Sequence, residues 1–279
     1  MTDKPRGTHR DAPVTTTAER YIMSGGRAPR LVGMEGELFL YTDAVGHAPG
    51  GADSVLGLYY RDTRHLSRME LALGRRPPVV LTSSAERGYS ETIELTNLEL
   101  RGPDGHVVPQ AAVHVRRTRV LADKLYELVR VRSYHPQPIE ITVDLHFDAD
   151  FADLFEVRGM RRRRRGRVRP PVAEGVTLTF AYDGLDGVER ATAVTFTDPP
   201  ATLHAGRARY RLRLAPGERA LIRFTVAVTP DGPPAPAAHP APGVDLNEAL
   251  DAVRHYFVFK DTATTEIYTD NEQLDAVLR

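Results

Sequence analysis

The feature that most constrains this chain is an alternation of apolar and polar side chains between about residues 30 and 229. The clearest stretch is IEITVDLHF at 139–147, in which every second residue is apolar. Successive side chains of a β-strand point to opposite faces, so this pattern predicts a strand that is buried on one face only. A chain dominated by such segments is expected to fold as packed β-sheets.

The same period of two recurs along the chain and predicts a series of further strands, at 36–42, 67–73, 78–83, 91–96, 112–120, 176–182 and 193–197. Two connections resemble hairpin turns. SYHPQP at 133–138 is expected to join the strands of a hairpin over 125–147, and APGE at 215–218 those of a hairpin over 209–228. Many short strands with few helical patterns predict a mainly β, antiparallel two-sheet supersandwich, because roughly 200 residues exceed an immunoglobulin-like unit of about 100.

The segments outside this region have a different character. Residues 1–25 are polar and contain proline, and they predict a disordered tail before a sandwich over 26–229. Residues 230–243 are rich in proline and alanine and predict a linker. In 244–279 the period becomes helical, and Asp245 with Glu248 fits a capping box. This last segment is expected to be the short helical start of a further domain.

Composition excludes several classes of function. Lys+Arg and Asp+Glu both total 37, so the chain lacks the positive excess of a nucleic-acid binder. Cysteine is absent, which excludes thiolate chemistry and fits a reducing cytoplasm. The chain contains no apolar run long enough to span a membrane, and neither a P-loop nor a GxGxxG motif. We therefore predict a cytoplasmic protein with no cofactor and with neither nucleic acid nor a membrane as a partner.

The first candidate site is the segment FDADFADLFEVRGMRRRRRG at 147–166. Four carboxylates lie within nine residues, at Asp148, Asp150, Asp153 and Glu156. Eight arginines follow from Arg158 to Arg169, and five of them are consecutive. Such a density of opposite charges is compatible with a metal site, a pair of catalytic acids, or a loop that neutralises its own charge.

The spacing of the acids distinguishes these interpretations. An EF-hand calcium loop needs ligands at alternate positions, and Asp153 does not fit that spacing after Asp148 and Asp150. A glycosidase needs two carboxyl groups roughly 5–9.5 Å apart, which Asp148 and Asp150 could provide. In the third interpretation the acids leave the strand into a loop that Phe151 and Phe155 anchor, and the arginines pair with the acids. We favour the third interpretation.

This favoured interpretation makes two statements about packing. The aromatic side chains of the segment should be mostly buried, namely Phe147, Phe151 and Phe155. The carboxylates of Asp148 and Asp150 should form local hydrogen bonds or pair with Arg158 and its neighbours.

The second candidate site is the segment GLYYRDTRHLSRMEL at 57–71. Six aromatic, charged and imidazole side chains lie within the seven residues 59–65, namely Tyr59, Tyr60, Arg61, Asp62, Arg64 and His65. Tyrosine and arginine beside an aspartate can hold a sugar or fill an interface. The favoured alternative is a corner where strands meet, closed by an internal Asp–Arg pair. The histidines of the chain are scattered without metal-ligand spacing, so no metal site is predicted.

Both candidate segments, together with YTDNEQLDAVLR near residue 279, resemble the bacterial and archaeal glycogen-debranching, amylo-α-1,6-glucosidase-like proteins. The resemblance is to their N-terminal domain. It implies a galactose-mutarotase-like β-supersandwich that precedes an (α/α)6 toroid, and it places the catalytic carboxylates in that toroid. On this basis the catalytic domain would be a partner missing from this chain, and no residue of this chain would be catalytic.

The resemblance also assigns roles to the two candidate segments. It implies that Tyr59, Tyr60, Arg61, Asp62, Arg64 and His65 contact an α-glucan cleft or another domain. It also implies that the 147–166 segment contains a family motif of the sandwich, and that this motif has a structural role. The motif consists of Asp148, Asp150, Phe151, Asp153, Phe155, Glu156 and Arg158. The alternative function is a free-standing carbohydrate-binding or protein-interaction module. Exposed aromatic side chains in a groove would favour that module, and an exposed apolar patch would favour a packed catalytic domain.

Overall fold

The computed structural model describes residues 30–51, 53–85, 88–102 and 105–229. The predicted tail at 1–25, the linker at 230–243 and the helical segment at 244–279 lie outside the described residues. The prediction of a mainly β fold is confirmed, since the described chain consists largely of strands and contains one short helix, α1 (Leu154–Val157).

The strands are numbered in chain order. The first ten are β1 (Arg30–Glu35), β2 (Leu38–Asp43), β3 (Ala48–Pro49), β4 (Gly57–Tyr60), β5 (Thr63–Leu66), β6 (Arg68–Leu73), β7 (Val79–Ser84), β8 (Ser90–Thr96), β9 (Leu100–Arg101) and β10 (Val107–Val108). The others are β11 (Val113–Leu121), β12 (Leu125–Ser133), β13 (Ile139–Asp148), β14 (Arg167–Val168), β15 (Val172–Glu174), β16 (Thr177–Asp183), β17 (Glu189–Phe196), β18 (Thr202–His204), β19 (Arg207–Leu214) and β20 (Arg219–Thr229).

These strands form antiparallel sheets of different sizes. The nine-stranded sheet has the order β14-β16-β17-β20-β12-β11-β8-β7, with β15 also paired to β16. The five-stranded sheet has the order β18-β19-β13-β6-β3. A four-stranded sheet, β1-β2-β4-β5, and the pair β9-β10 complete the described architecture.

The core lies between the inner faces of these sheets. The predicted strand at 139–147 is β13, and its apolar residues are all buried. Phe147 contacts Phe196 and Phe224 of the nine-stranded sheet, with ring centroids 6.1 and 5.6 Å apart. Each large apolar side chain buried in this way contributes about 1.5–3 kcal/mol to folding. One continuous cluster includes residues of the nine-, five- and four-stranded sheets, as a large sandwich requires.

Both predicted hairpins are wrong. β12 pairs with β11 and β20 in the nine-stranded sheet, whereas β13 pairs with β6 and β19 in the five-stranded sheet. Likewise β19 and β20 belong to different sheets. The segments 134–138 and 215–218 therefore connect one sheet to the other at the same end, where Ser133 and Glu218 share a backbone hydrogen bond of 3.0 Å. Alternation of apolar and polar residues shows which side chains of a strand face the core, but it does not show which other strand pairs with that strand.

The core also contains a charged network that the pattern did not predict. Arg117 and Arg119 of β11 point inward, and both bind Glu127 of β12, at 2.6 and 2.8 Å. Arg119 also pairs with Glu91 of β8 at 3.2 Å. All four side chains are fully buried. The two guanidinium groups also donate to the carbonyl of Gly46, so the network joins three strands to the β2–β3 connection.

Candidate functional site

The fold brings the two candidate segments together. β4 and β5 form a hairpin, and Arg61 in its turn has a φ of 52°. The segment that follows β13 lies beside β5, and an isolated bridge joins Thr63 to Asp153. Three further backbone hydrogen bonds join the segments: Arg64 N to Ala152 O at 2.8 Å, Leu154 N to Asp62 O at 2.8 Å, and Ser67 N to Asp148 O at 2.9 Å.

A buried arginine fixes the two segments to each other. The Arg64 side chain is 2% exposed, and its Nε donates to Asp150 Oδ1 at 3.1 Å while Nη2 pairs with Oδ2. Its Nη1 donates to backbone carbonyls of the segment that precedes β4. A Cβ at Gly57 would lie 2.8 Å from Arg64 Cδ, so glycine is needed there. An Asp–Arg pair therefore closes this corner, but it is not internal to the segment as predicted, because its aspartate is Asp150 of the other segment.

Aromatic side chains fill the space behind this ion pair. His65 is buried, and its ring packs in a T-shaped arrangement with the buried Phe151 ring, with centroids 5.5 Å apart. Burial lowers the pKa of His65 to about 4, so the imidazole is neutral at physiological pH. Phe151 stacks on Tyr182 of β16 at 5.5 Å, and the buried Tyr59 donates its hydroxyl to Val55 O at 2.7 Å. These side chains serve as packing.

The last two acids of the 147–166 segment cap helix α1. Asp153 Oδ1 accepts hydrogen bonds from the backbone N–H of Phe155 and Glu156, at 2.8 and 2.9 Å. Glu156 Oε2 accepts from Asp153 N at 3.2 Å, which completes a capping box. Arg158 is the C-cap of this helix and is exposed. The D-x-x-E spacing of Asp153 and Glu156 is a sequence signal for such a helix start, although no helix was predicted at this position.

The arginine run pairs with these acids, as predicted. Arg162 forms an ion pair with Asp153, and Arg165 Nε pairs with Glu156 Oε1 at 2.8 Å. Arg165 also donates to the backbone carbonyl of Asp150 at 2.7 Å. The two earlier acids form local hydrogen bonds, as predicted: Asp148 Oδ1 accepts from Ala149 N at 2.9 Å, and Asp150 Oδ1 accepts from Ala152 N at 3.2 Å. The carboxylate of Asp150 also pairs with Arg64, and not with Arg158 or its neighbours.

The three phenylalanines of the segment have different environments. Phe147 and Phe151 are buried as predicted, at 4% and 3% exposure. Phe155 is 57% exposed, so the prediction of burial is wrong there. The reason is that the chain forms helix α1 here, and the side chain that this helix buries is Val157.

A recess of about 520 Å³ opens beside these elements. Phe151 and Tyr182 line it, and the exposed side chains of Phe155 and Leu185 contribute apolar surface. The charged side chains that line it include Asp62, Asp153, Glu156, Asp186, Arg162, Arg164, Arg165 and Arg190. Leu185, Asp186 and Arg190 come from the β16–β17 region, and no local sequence signal connected them to the two candidate segments.

Most carboxylates of the recess are already engaged. Asp153 and Glu156 cap α1 and bind arginines, and Asp186 pairs with Arg190 at 2.7 Å. The hydrogen bond from Arg190 lowers the pKa of Asp186 to about 2. Asp62, in the exposed hairpin turn, is the remaining acid of the recess. Glycoside hydrolysis needs two carboxyl groups on opposite sides of one bond, and this arrangement does not offer such a pair.

Two further features bear on the chemistry of the described chain. Within the described ranges, no group of three or more histidine, aspartate or glutamate side chains is arranged to hold a metal ion. No helix of this part of the chain is long and apolar enough to cross a membrane.

A family model described as the N-terminal domain of (some) glycogen debranching enzymes matches residues 34–225. That range includes both candidate segments and nearly all of the described sandwich. No curated protein sequence matches the chain.

Several solved structures are similar to the chain. A protein described as a kojibiose phosphorylase from the human microbiome is 10% identical over 76% of this chain, with a TM-score of 0.44. This chain spans only 30% of the length of that protein. A protein from Escherichia coli K12 described as an aldose 1-epimerase is 10% identical over 72% of this chain, with a TM-score of 0.39, and 98% of its own length is covered. A polysaccharide lyase is 12% identical over 56% of this chain and 26% of its own length, with a TM-score of 0.30.

Proposed function

The chain belongs to the family of N-terminal domains of glycogen debranching enzymes, and from this premise we propose that it is a non-catalytic domain that packs against a catalytic domain. The whole enzyme would be an α-glucan hydrolase of the amylo-α-1,6-glucosidase type with an (α/α)6 catalytic domain. Such an enzyme would act in the cytoplasm, and the absence of cysteine is compatible with that compartment.

The observation that carries this proposal is the engagement of the motif carboxylates. Asp150 fixes Arg64, and Asp153 with Glu156 starts helix α1 and holds the arginine run. A catalytic acid must release its proton to the substrate, whereas these groups act as hydrogen-bond acceptors within the domain. The motif therefore has a structural role, and hydrolysis would need carboxylates from another domain.

The surface around the recess has the properties of a docking site. Phe155 and Leu185 are 57% and 66% exposed and line the recess together with its charged side chains, and we call these two exposed apolar side chains the apolar rim. Met160, whose N–H donates to Phe155 O at 2.9 Å, is also exposed and extends this surface. An exposed apolar patch beside charged groups is typical of a protein interface. We propose that the apolar rim contacts the catalytic domain.

The exposed hairpin turn next to the rim would then face the glucan cleft. Arg61 and Asp62 are exposed in this turn, whereas Tyr59, Arg64 and His65 are buried and unable to contact a ligand directly. Of the aromatic side chains in the recess, Phe155 alone is strongly exposed in the part of the chain that the structure describes. This distribution favours the packed-domain function over a free-standing carbohydrate-binding module.

The docking proposal predicts a complex that depends on the apolar rim. The chain should bind the separately produced catalytic domain of a glycogen debranching enzyme in analytical ultracentrifugation. Leu185→Glu should weaken this complex about tenfold or more, because it would bury a carboxylate in an apolar contact. Leu221→Glu is the matched control, since Leu221 is 42% exposed on β20 and does not line the recess.

Two outcomes would contradict this prediction: no complex with the unaltered chain, or equal weakening by both substitutions. Binding of maltoheptaose at the recess by the isolated chain, without any complex, would instead support the free-standing carbohydrate-binding module.

A further inference from the structure

A second recess, of about 460 Å³, lies on the outer face of the five-stranded sheet. Four arginines line it, Arg75, Arg101, Arg209 and Arg211, and the other lining residues are Gly74, Gly102 and Thr142. None of these residues lines the recess of the two candidate segments. No carboxylate is among the described residues that line this arginine recess, so the described part of its lining carries only positive charges.

The sequence of β19 places two of these arginines. Its residues, RARYRLRL, carry arginine at every second position, so all four arginines lie on the outer face. The neighbouring β13 supplies three acids to this face, Glu140, Asp144 and Asp148, against the four arginines of β19. Asp144 pairs with Arg207 and Arg209, and Glu140 pairs with Arg213 at 3.1 Å. Positive charge therefore exceeds negative charge on these two strands.

Within the recess, one arginine is rigidly held and three are available. Arg209 is fixed by two hydrogen bonds to the buried Asp144, from Nε to Oδ1 at 2.6 Å and from Nη2 to Oδ2 at 3.0 Å. Arg75, Arg101 and Arg211 are exposed, and none of them forms an ion pair with another described residue.

The position of Arg75 is unusual for an arginine. Gly74 and Arg75 are the central residues of a tight turn closed by Leu73 and Arg76, with φ values of 54° and 69°. Positive φ at both positions is a feature of type I′ turns, where glycine and asparagine are favoured. An arginine there carries conformational strain, and strained residues cluster at functional sites. Gly74 packs closely on Leu100, which places Arg75 near Arg101.

We propose that the arginine recess binds the phosphate monoester of a sugar. Guanidinium groups match phosphate oxygens in charge and geometry, and the fixed Arg209 would orient the phosphoryl group while the exposed arginines close around it. The recess is larger than a phosphoryl group and falls in the size range of small-molecule sites. Thr142 adds a hydroxyl for the sugar portion. The proposal is independent of the proposed packing against a catalytic domain.

Calorimetric titration of the chain with glucose 6-phosphate tests the proposal. We expect saturable binding of glucose 6-phosphate and none of glucose. Affinity should fall with added salt and should rise as the pH passes about 6, where the phosphate becomes a dianion. Titrations with inorganic phosphate and with a phosphorylated maltooligosaccharide distinguish a free phosphate, a sugar phosphate and a phosphate ester on a glucan chain.

Arg101→Gln and Arg211→Gln should each weaken this binding about tenfold, since each removes a charge-assisted phosphate contact. Arg163→Gln removes the same charge from an exposed position outside the arginine recess and should leave the affinity unchanged. Absence of binding, or equal weakening by Arg163→Gln, would overturn the proposal. Equal affinity for inorganic phosphate would overturn its assignment to a sugar ester. Neither result depends on a catalytic domain.

Discussion

Replacing Glu127 with glutamine is expected to destabilise the fold by about 3–5 kcal/mol, as breaking a buried ion pair does. Burial opposes the charge of Glu127, but Arg117 and Arg119 outweigh burial and hold the pKa of this carboxyl below its ordinary value. Glutamine keeps the shape of the side chain and loses the negative charge. Both fully buried guanidinium groups would then lack their shared counter-ion.

Urea unfolding of the unaltered chain and of Glu127→Gln measures the loss in free energy of unfolding. The control is Glu140→Gln, because Glu140 pairs with the exposed Arg213 and an exposed pair contributes about 0–1 kcal/mol. If Glu127→Gln and Glu140→Gln unfolded at the same urea concentration, the buried network would not have the role described here.

Phe151→Ala should destabilise the domain by about 3–5 kcal/mol through loss of buried contacts and the cavity left behind. Phe151 is 3% exposed, contacts His65 and stacks on Tyr182, so its ring joins the two candidate segments to the nine-stranded sheet. Arg163→Ala removes an exposed side chain from the same region of sequence and should change stability by no more than about 0.5 kcal/mol.

The measurement is the thermal midpoint of unfolding. For a domain of this size the loss in Phe151→Ala corresponds to roughly 6–20 °C. Equal melting temperatures of Phe151→Ala and Arg163→Ala would show that Phe151 is not part of the packed core.

The sequence predicted the strands well because each strand buries one face. The segment predicted at 139–147 is β13, Ile139–Asp148, and the segments predicted at 112–120 and 176–182 correspond to β11 and β16. In each case a short run of alternating apolar and polar residues is enough to predict the strand and its buried face, since the direction of a side chain depends only on its position along the strand.

Sheet assignment needed information that alternation does not carry. The apolar face of β12 and that of β13 both contact the core, and this would also be true if the two strands formed a hairpin. The burial of Arg117 and Arg119 could not be predicted from the sequence pattern either, because two arginines on one face of a strand normally indicate a solvent-exposed face. Their burial depends on Glu127 and Glu91, which lie on neighbouring strands.

The residues of the two candidate segments were identified from the sequence, but only some of their contacts with each other were predicted. Pairing between the acids and the arginine run follows from their closeness in sequence, and it was predicted. The Arg64–Asp150 pair joins residues 86 positions apart, and no local pattern specifies such a contact. The capping box at Asp153 and Glu156 could have predicted that a helix starts there, but the side of α1 that faces the core, on which Val157 lies, depends on contacts with distant strands.

The central claim is that this domain of a glycogen-debranching family has no hydrolytic activity of its own. The most direct measurement is reducing-sugar release from glycogen, limit dextrin and maltooligosaccharides by the purified, folded chain. We expect no release above the buffer control from the unaltered chain, from Asp148→Asn or from Asp150→Asn. Release by the unaltered chain that disappears in either variant would contradict the account, because the motif carboxylates would then be catalytic.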